Sequence, residues 1–388
     1  MKSTWPLLAL AIGAFGIGTT EFAPMGLLPT IATGVGVDIP AAGLLISAYA
    51  IGVMLGAPVM TLLFGRLRTR SALIALMAIF TLGNVLSAIA PDYWTLLGAR
   101  LVTSLNHGAF FGLGSMVAAS LVPKDKQAAA IATMFMGLTI ANIGGVPAAT
   151  WIGQQIGWRM AFGATAGLGV IAMLALLLAL PRGAAAARPD VRAELAVITK
   201  RPVLLAMLTT VLGAGAMFTL LTYIVPMLET LTGASPVFVT LSLAFVGVGF
   251  TVGNGLGGRL ASWSLDGSIK LFLTAIVVIL VALPFMLTTQ MGALIGLFLF
   301  GVATFGIVPP VQTKVMQAAS AAPGLASSVN IGVFNLGNAL GAAVGGAVIA
   351  LDIGLPSVSF AGAVIAALGL VVVFIAGRRP ALVAQPAE

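Results

Sequence analysis

Apolar stretches of about 20 residues recur along the whole of this 388-residue chain, each closed by a short polar or turn-forming segment. A bilayer core takes about 20 residues of helix, so the pattern predicts membrane-spanning helices. Turn signals at Gly36 to Pro40, Pro91-Asp92, Pro123 to Lys126, Gly157-Trp158, Gly233 to Pro236 and Pro323-Gly324 punctuate the pattern. The twelve predicted spans are 5–30, 40–64, 71–90, 95–121, 128–153, 159–180, 203–227, 236–262, 269–288, 292–317, 324–350 and 355–377. Connections of about ten residues leave no room for a soluble domain. The longest, PRGAAAARPDVRAELAVITKRP, predicts a linker at 181–202 between a bundle at 1–180 and another at 203–388. The first apolar segment follows Lys2, is too long for a signal-peptide core and lacks a small-residue cleavage site, so it is read as a retained span.

Composition agrees: 60% of residues are hydrophobic and 7% charged, whereas a soluble domain carries about 25% charged residues. The net charge of +8 has its explanation in topology rather than in nucleic acid, which is not an expected partner. With the N-terminus inside, the inner face collects Lys2, Arg66, Arg68, Arg70, Lys124, Lys126, Arg182, Arg188, Arg192, Lys200, Arg201, Arg259, Lys270, Lys314, Arg378 and Arg379. Only Arg159 falls outside and Arg100 within a span, while Asp38, Asp92, Glu229 and Asp352 lie in or beside outer connections. Such segregation follows the positive-inside rule, supports the count of twelve and predicts both termini in the cytoplasm. The absence of cysteine excludes disulfides, Cys-ligated zinc and thiol catalysis. No metal or cofactor is expected.

The two halves echo one another. Gly65-Arg66-Leu67 ends span 2, and Gly258-Arg259-Leu260 stands at the equivalent place in span 8. Small residues recur every fourth position at Gly137, Ala141, Gly145 and Ala149 in span 5 and at Gly337, Gly341 and Gly345 in span 11. Faces of this kind let helix backbones approach closely in lipid. The expected fold class is therefore an all-α membrane protein of twelve transmembrane helices in two pseudo-symmetric six-helix halves.

Charges inside the membrane are costly and usually functional. Glu21 lies about 12 Å below the outer end of span 1 at 1.5 Å per residue. Arg100 and His107, two helical turns apart on one face of span 4, bracket that depth. If spans 1 and 4 line one cavity, the three form a polar cluster. Glu21 then either pairs with Arg100 to fix helix packing or loads and releases a proton, since moving Arg100 or admitting water would change its protonation. His107, the single histidine, either joins a proton relay or binds substrate and bridges helices. Further polar candidates within spans are Thr19, Thr20, Tyr49, Asn106, Asn142, Asn335, Asn338 and Gln312, and interior aromatic candidates are Phe110, Phe111, Phe218 and Tyr223.

These residues resemble the major facilitator superfamily, in particular its twelve-span drug:proton antiporters, among them sugar-efflux, arabinose-efflux and chloramphenicol-resistance permeases. The resemblance rests on Gly18-Thr19-Thr20-Glu21-Phe22 with Met25-Gly26-Leu27-Leu28-Pro29, on Arg100 with His107-Gly108-Ala109-Phe110-Phe111-Gly112, and on the run from Asn142 to Thr150 continuing to Arg159. Two departures stand out: Gly65 replaces the acid usual before Arg66, and Val146-Pro147 then Thr150-Trp151 replaces a Gly-Pro with paired glycines. The resemblance implies alternating access by two rocking halves, a cavity lined by spans 1, 4, 7 and 10, a proton-coupling role for Arg100 and a monomer in the bacterial inner membrane. It leaves Thr20, Asn106, Phe110, Phe111, Asn142, Phe218, Tyr223, Asn335 and Asn338 as substrate-binding candidates. Gly65, Arg66, Arg70, Gly145, Pro147 and Arg259 are the conformational ones. Proton-coupled efflux of a small organic solute is the leading expectation, with an uncoupled facilitator as the alternative. An enzyme is not expected, because no paired carboxylates, metal-ligand set or nucleophile–His–acid trio appears; the absence of a G-x-x-x-x-G-K-[ST] loop argues against an ATP-driven pump.

Overall fold

A computed structural model describes residues 4–64, 67–123, 127–181, 196–197, 199–320 and 323–377. The fold is a twelve-crossing helical membrane protein in two pseudo-symmetric halves. In the first half, α1 (Thr4–Gly26) and α2 (Leu28–Val35) form crossing one, followed by α3 (Ile39–Phe64) and α4 (Thr69–Ile89). Crossing four is α5 (Tyr93–Ser104) with α6 (His107–Ser120). Crossing five runs from α7 (Gln127–Ile140) through a π-helical turn (Ala141–Gly145) into α8 (Val146–Gln155), and α9 (Trp158–Ala179) is the sixth. The second half begins with α10 (Arg201–Leu221), α11 (Ile224–Met227) and a π-helical turn (Leu228–Thr232), which together make crossing seven. Crossings eight and nine are α12 (Pro236–Trp263) and α13 (Leu265–Met286). The tenth pairs α14 (Gln290–Gly306) with α15 (Val308–Ala318); α16 (Pro323–Ala350) and α17 (Pro356–Gly377) complete the bundle.

Crossings one, four, seven and ten are each interrupted, a spacing of three that repeats across the halves. Three breaks have a proline cause. Pro29, Pro226 and Pro309-Pro310 follow closely on the interruptions at Leu27, Thr222-Tyr223 and Ile307, where a missing N–H and a ring clash with the carbonyl four residues back open the helix. The fourth crossing breaks at Leu105-Asn106 without a proline, although one uninterrupted helix over 95–121 is the sequence expectation. Among the described residues, eleven helical stretches are long and apolar enough to cross a membrane. The divided fourth crossing is the twelfth: neither of its halves spans alone.

The small-residue faces of spans 5 and 11 pack each against the first crossing of its own half. A Cβ on Gly137 would overlap the Ala11 carbonyl of α1, and one on Gly341 the Gly215 carbonyl of α10. Backbones this close exclude any side chain at those positions. Gly145 approaches Thr19 in the same way, and Pro147 is buried two residues into α8. At the end carrying Arg70, that residue's Nη1 donates to the Leu177 and Leu180 carbonyls, both at 3.3 Å, and so holds α4 to the C-terminus of α9. Lys314 on α15 pairs with Asp266 at 2.5 Å, and Arg259 is exposed near the C-terminal end of α12. Gly65, Arg66 and residues 182–195 of the linker lie outside the described residues. Large apolar side chains cover the exterior, with Trp94 and Trp263 among the most exposed, as a lipid-facing surface with interfacial tryptophans requires.

The halves meet across the outer part of the molecule. Ser47 of α3 donates to the Ala339 carbonyl of α16 at 3.0 Å. The Tyr223 hydroxyl donates to the Ala342 carbonyl at 2.7 Å and sits against the Cα atoms of Gly43 and Gly346, with no space for a Cβ at either. Near mid-height, Gly247 of α12 lies directly on the Asn142 carbonyl of crossing five.

Candidate functional site

Below that seam, between the halves, lies a cavity of about 210 Å³. Its walls reach from Glu21, Phe22 and Phe250 at mid-height to Thr209, Thr210, Gln312 and Asn330, toward the end that carries Arg201, Arg259 and Lys314. Six phenylalanines line it (Phe22, Phe111, Phe135, Phe250, Phe305 and Phe334), interleaved with amides and hydroxyls. Of its described lining residues only Glu21 and His107 are titratable, and none is Lys or Arg.

Crossing one and the interruption of crossing four build the polar wall. His107 is the first residue of α6, and its Nε2 lies 3.9 Å from Glu21 Oε2, within ion-pair range but longer than a hydrogen bond. The partly positive N-terminus of α6 thereby stands at the level of the carboxylate. Across the ring, His107 Nδ1 is 3.1 Å from the Tyr49 hydroxyl of α3. Phe111, one turn along α6, packs on the imidazole with ring centroids 5.2 Å apart and on Phe135 at 4.9 Å.

Arg100 is buried at 1% exposure, yet among the described residues no carboxylate lies within 4 Å of its guanidinium. Its Nη1 donates instead to the Thr20 carbonyl at 3.0 Å. That carbonyl is available because Pro24, four residues on, has no N–H to offer it. The guanidinium lies 4.2 Å above the Tyr49 ring and 5.8 Å from Phe162, and Nε and Nη2 have no hydrogen-bond partner. Aromatic faces thus supply part of what a paired carboxylate would. The structure brings Glu21, Arg100 and His107 together as one cluster, with Tyr49 at its centre and His107, not Arg100, on the carboxylate.

The remaining candidates divide. Phe111, Asn142 and Asn335 line the cavity. Asn142 Nδ2, in the π-helical turn, donates back to the Leu138 carbonyl of α7, and Asn335 Nδ2 to that of Ile331. Thr20 turns away and donates to Asn84 Oδ1 at 2.6 Å, beside a smaller pocket of about 10 Å³. Phe110 fills space against Gly13 in the core of the first half. Above the cavity Phe218 stacks on Phe22 at 5.9 Å and meets Phe334 edge-on at 5.7 Å, and Tyr223 belongs to the outer seam. Asn106 and Asn338 are buried with both amide atoms unpartnered and do not line the cavity. Sequence reasoning did not single out Asn84, Thr210 or Asn330. Thr210 donates to Asn330 Oδ1 at 2.7 Å, and Asn330 Nδ2 donates to Gln312 at 2.6 Å, which makes a polar floor in the second half. Their signal was present as isolated amides and hydroxyls in apolar spans.

A chain so built can hold a small solute against aromatic walls and carry an ionisable carboxylate to it. The Major Facilitator Superfamily profile matches residues 10–330. The inner membrane transport protein YdhP of Escherichia coli K12 is 66% identical over 379 residues, covering 98% of this chain and 97% of its own. The chloramphenicol resistance protein of Streptomyces lividans is 31% identical, with 95% of each chain covered. Among solved structures, the D-xylose–proton symporter superposes with a TM-score of 0.75 at 15% identity, over 96% of this chain and 98% of that one. Helix order, the interrupted crossings, the cavity between halves and the profile match agree, and the chain belongs to the Major Facilitator Superfamily of membrane transporters.

Proposed function

We propose that the protein exports a small organic solute in exchange for protons by alternating access. The carrying observation is the Glu21 carboxylate in the cavity wall, with a single histidine against it and no basic residue among the described lining. A proton arriving from outside neutralises Glu21 and favours the state described here, in which the outer seam is closed and the cavity lies on the inner side. Solute binding and release of the proton to the inside complete the exchange. Arg100, anchored on the Thr20 carbonyl, belongs to the same cluster, and His107 sets a ring nitrogen 3.9 Å from the carboxylate. Phe111, Asn142 and Asn335 face the solute. The name of the Streptomyces relative and the aromatic, uncharged walls favour neutral amphipathic compounds over polycations and anions.

Inverted vesicles test the coupling. Radiolabelled chloramphenicol and a panel of sugars are offered with and without an imposed pH gradient, to wild type and Glu21→Gln. The expected result is gradient-driven accumulation in the wild type and a loss of at least tenfold in Glu21→Gln, with solute exchange at equal pH preserved. Accumulation by Glu21→Gln against a concentration gradient, driven by the same pH difference, would overturn the antiport reading.

A further inference from the structure

A neutral imidazole donates from one nitrogen and accepts at the other, so its tautomer is chosen by its neighbours. His107 has two such neighbours on opposite sides of the ring: the Tyr49 hydroxyl at Nδ1 and the Glu21 carboxylate at Nε2. Tyr49 is buried at 1% exposure, and its hydroxyl makes its hydrogen bond with Nδ1. A phenol buried this deeply donates where it can. When it donates to Nδ1, the ring hydrogen must sit on Nε2, aimed at Glu21. The opposite tautomer turns a lone pair toward the carboxylate and strips the phenol of its acceptor. The same tyrosine ring lies under the Arg100 guanidinium at 4.2 Å, which Thr20 holds from the other side. One side chain on α3 therefore touches the basic group on α5 and the imidazole on α6, while the carboxylate on α1 faces the result.

We propose that Tyr49 is the positioning residue of the Glu21–His107 pair: its hydroxyl fixes the Nε2–H tautomer of His107, and that hydrogen stabilises ionised Glu21. Its importance for transport rests on the reading of Glu21 as the proton site; the tautomer itself does not. Tyr49 neither gains nor loses a proton in the cycle. The charged or titratable groups around the imidazole are Glu21 from α1, Tyr49 from α3 and Arg100 from α5. The described cavity lining from α7, α10, α12, α14, α15 and α16 adds none.

His107 is the chain's single histidine, so its ring can be observed without ambiguity. The full chain, carrying no histidine tag, is labelled with ring-¹⁵N histidine, reconstituted in bilayers and studied by NMR across a pH series. The wild type is expected to show a protonated Nε2 and a hydrogen-bonded, unprotonated Nδ1 at neutral pH. In Tyr49→Phe, which keeps the ring under Arg100, the Nδ1–H tautomer should appear beside Nε2–H, most strongly at pH below the midpoint, where protonated Glu21 no longer holds the hydrogen on Nε2. The midpoint at which the Nε2 signal responds to pH should also move upward by about 0.5–1 unit, since removing a stabiliser of the anion lets the proton bind at higher pH. A wild type in the Nδ1–H tautomer, or an unchanged tautomer in Tyr49→Phe, overturns the assignment. If the variant does not fold, the wild-type spectrum still decides the tautomer. Failure of the antiport reading looks different: the signals stay flat with pH while the tautomer contrast between the two proteins remains.

Discussion

Pro24 has no amide hydrogen, and Arg100 occupies the Thr20 carbonyl that this leaves open. Pro24→Ala would return a donor to that carbonyl and relieve a helix-interior proline, whose presence costs about 3 kcal/mol. The expected variant melts at a higher temperature by tryptophan fluorescence, yet transports several-fold more slowly because Arg100 loses its anchor. A variant that gains stability with undiminished transport would show that the anchor has no role. At this scale the sequence displays charges well and their partners poorly. Glu21 and Arg100 are conspicuous in apolar runs, but the acceptor for Arg100 is a backbone oxygen whose only trace in the sequence is a proline four residues away. Phe110 and Phe111 illustrate the same limit. They are neighbours in the chain but about 100° apart around α6, so one meets Gly13 in the core and the other meets the cavity.

Helix ends and helix seams carry the element-scale expectations. Asp92 caps α5 by accepting from the Thr95 amide at 2.9 Å, and these hydrogen bonds hold its carboxyl below the usual value. A depressed folded-state value means that the contribution is present above the ordinary carboxylate range and is lost as pH falls through the depressed one. Asp92→Ala should therefore lower the melting temperature more at pH 7 than at a pH well below the ordinary carboxylate range, while Asp92→Asn keeps most of the cap. Equal gaps at both pH values would remove the carboxylate from the explanation. Gly137→Ala forces a methyl into the Ala11 backbone and should cost about 1–3 kcal/mol, read as reduced folded yield in detergent. Gly144→Ala, with open space at its Cα, should have little effect. The seams were legible because a four-residue spacing of small residues has one common use in lipid. The break at Leu105-Asn106 was not, since no proline marks it and the fourth crossing reads as one apolar stretch.

The whole molecule is two bundles pressed together on their outer side. Pro40 and Gly346 face each other there across the halves, with the Pro40 Cα about 3.6 Å from where a Gly346 Cβ would stand. The Tyr223 hydroxyl leaves no room for a side chain on Gly346, but the chain has no cysteine and Ser47 meets Ala339 across the same seam at 3.0 Å, so a Ser47→Cys, Ala339→Cys pair is a clean lock. Oxidation should cross-link it and abolish transport, and reduction should restore both; transport by the fully cross-linked protein would refute rocking of the halves. The twelve crossings and their pairing were legible because hydropathy and charge asymmetry are summed over many residues. Which face of each crossing meets the cavity depends on kinks and contacts that no single span records. The cavity wall described above carries one carboxylate and no described cation, which on the proposed exchange gives each cycle an electrical consequence. If one proton enters for each uncharged molecule expelled, every turnover moves one positive charge inward. The membrane voltage then drives export beside the pH difference, by about 2.3 kcal/mol per 100 mV. For a singly charged cation the same exchange is electrically silent, so the current through a bilayer of reconstituted protein reports the charge of its cargo.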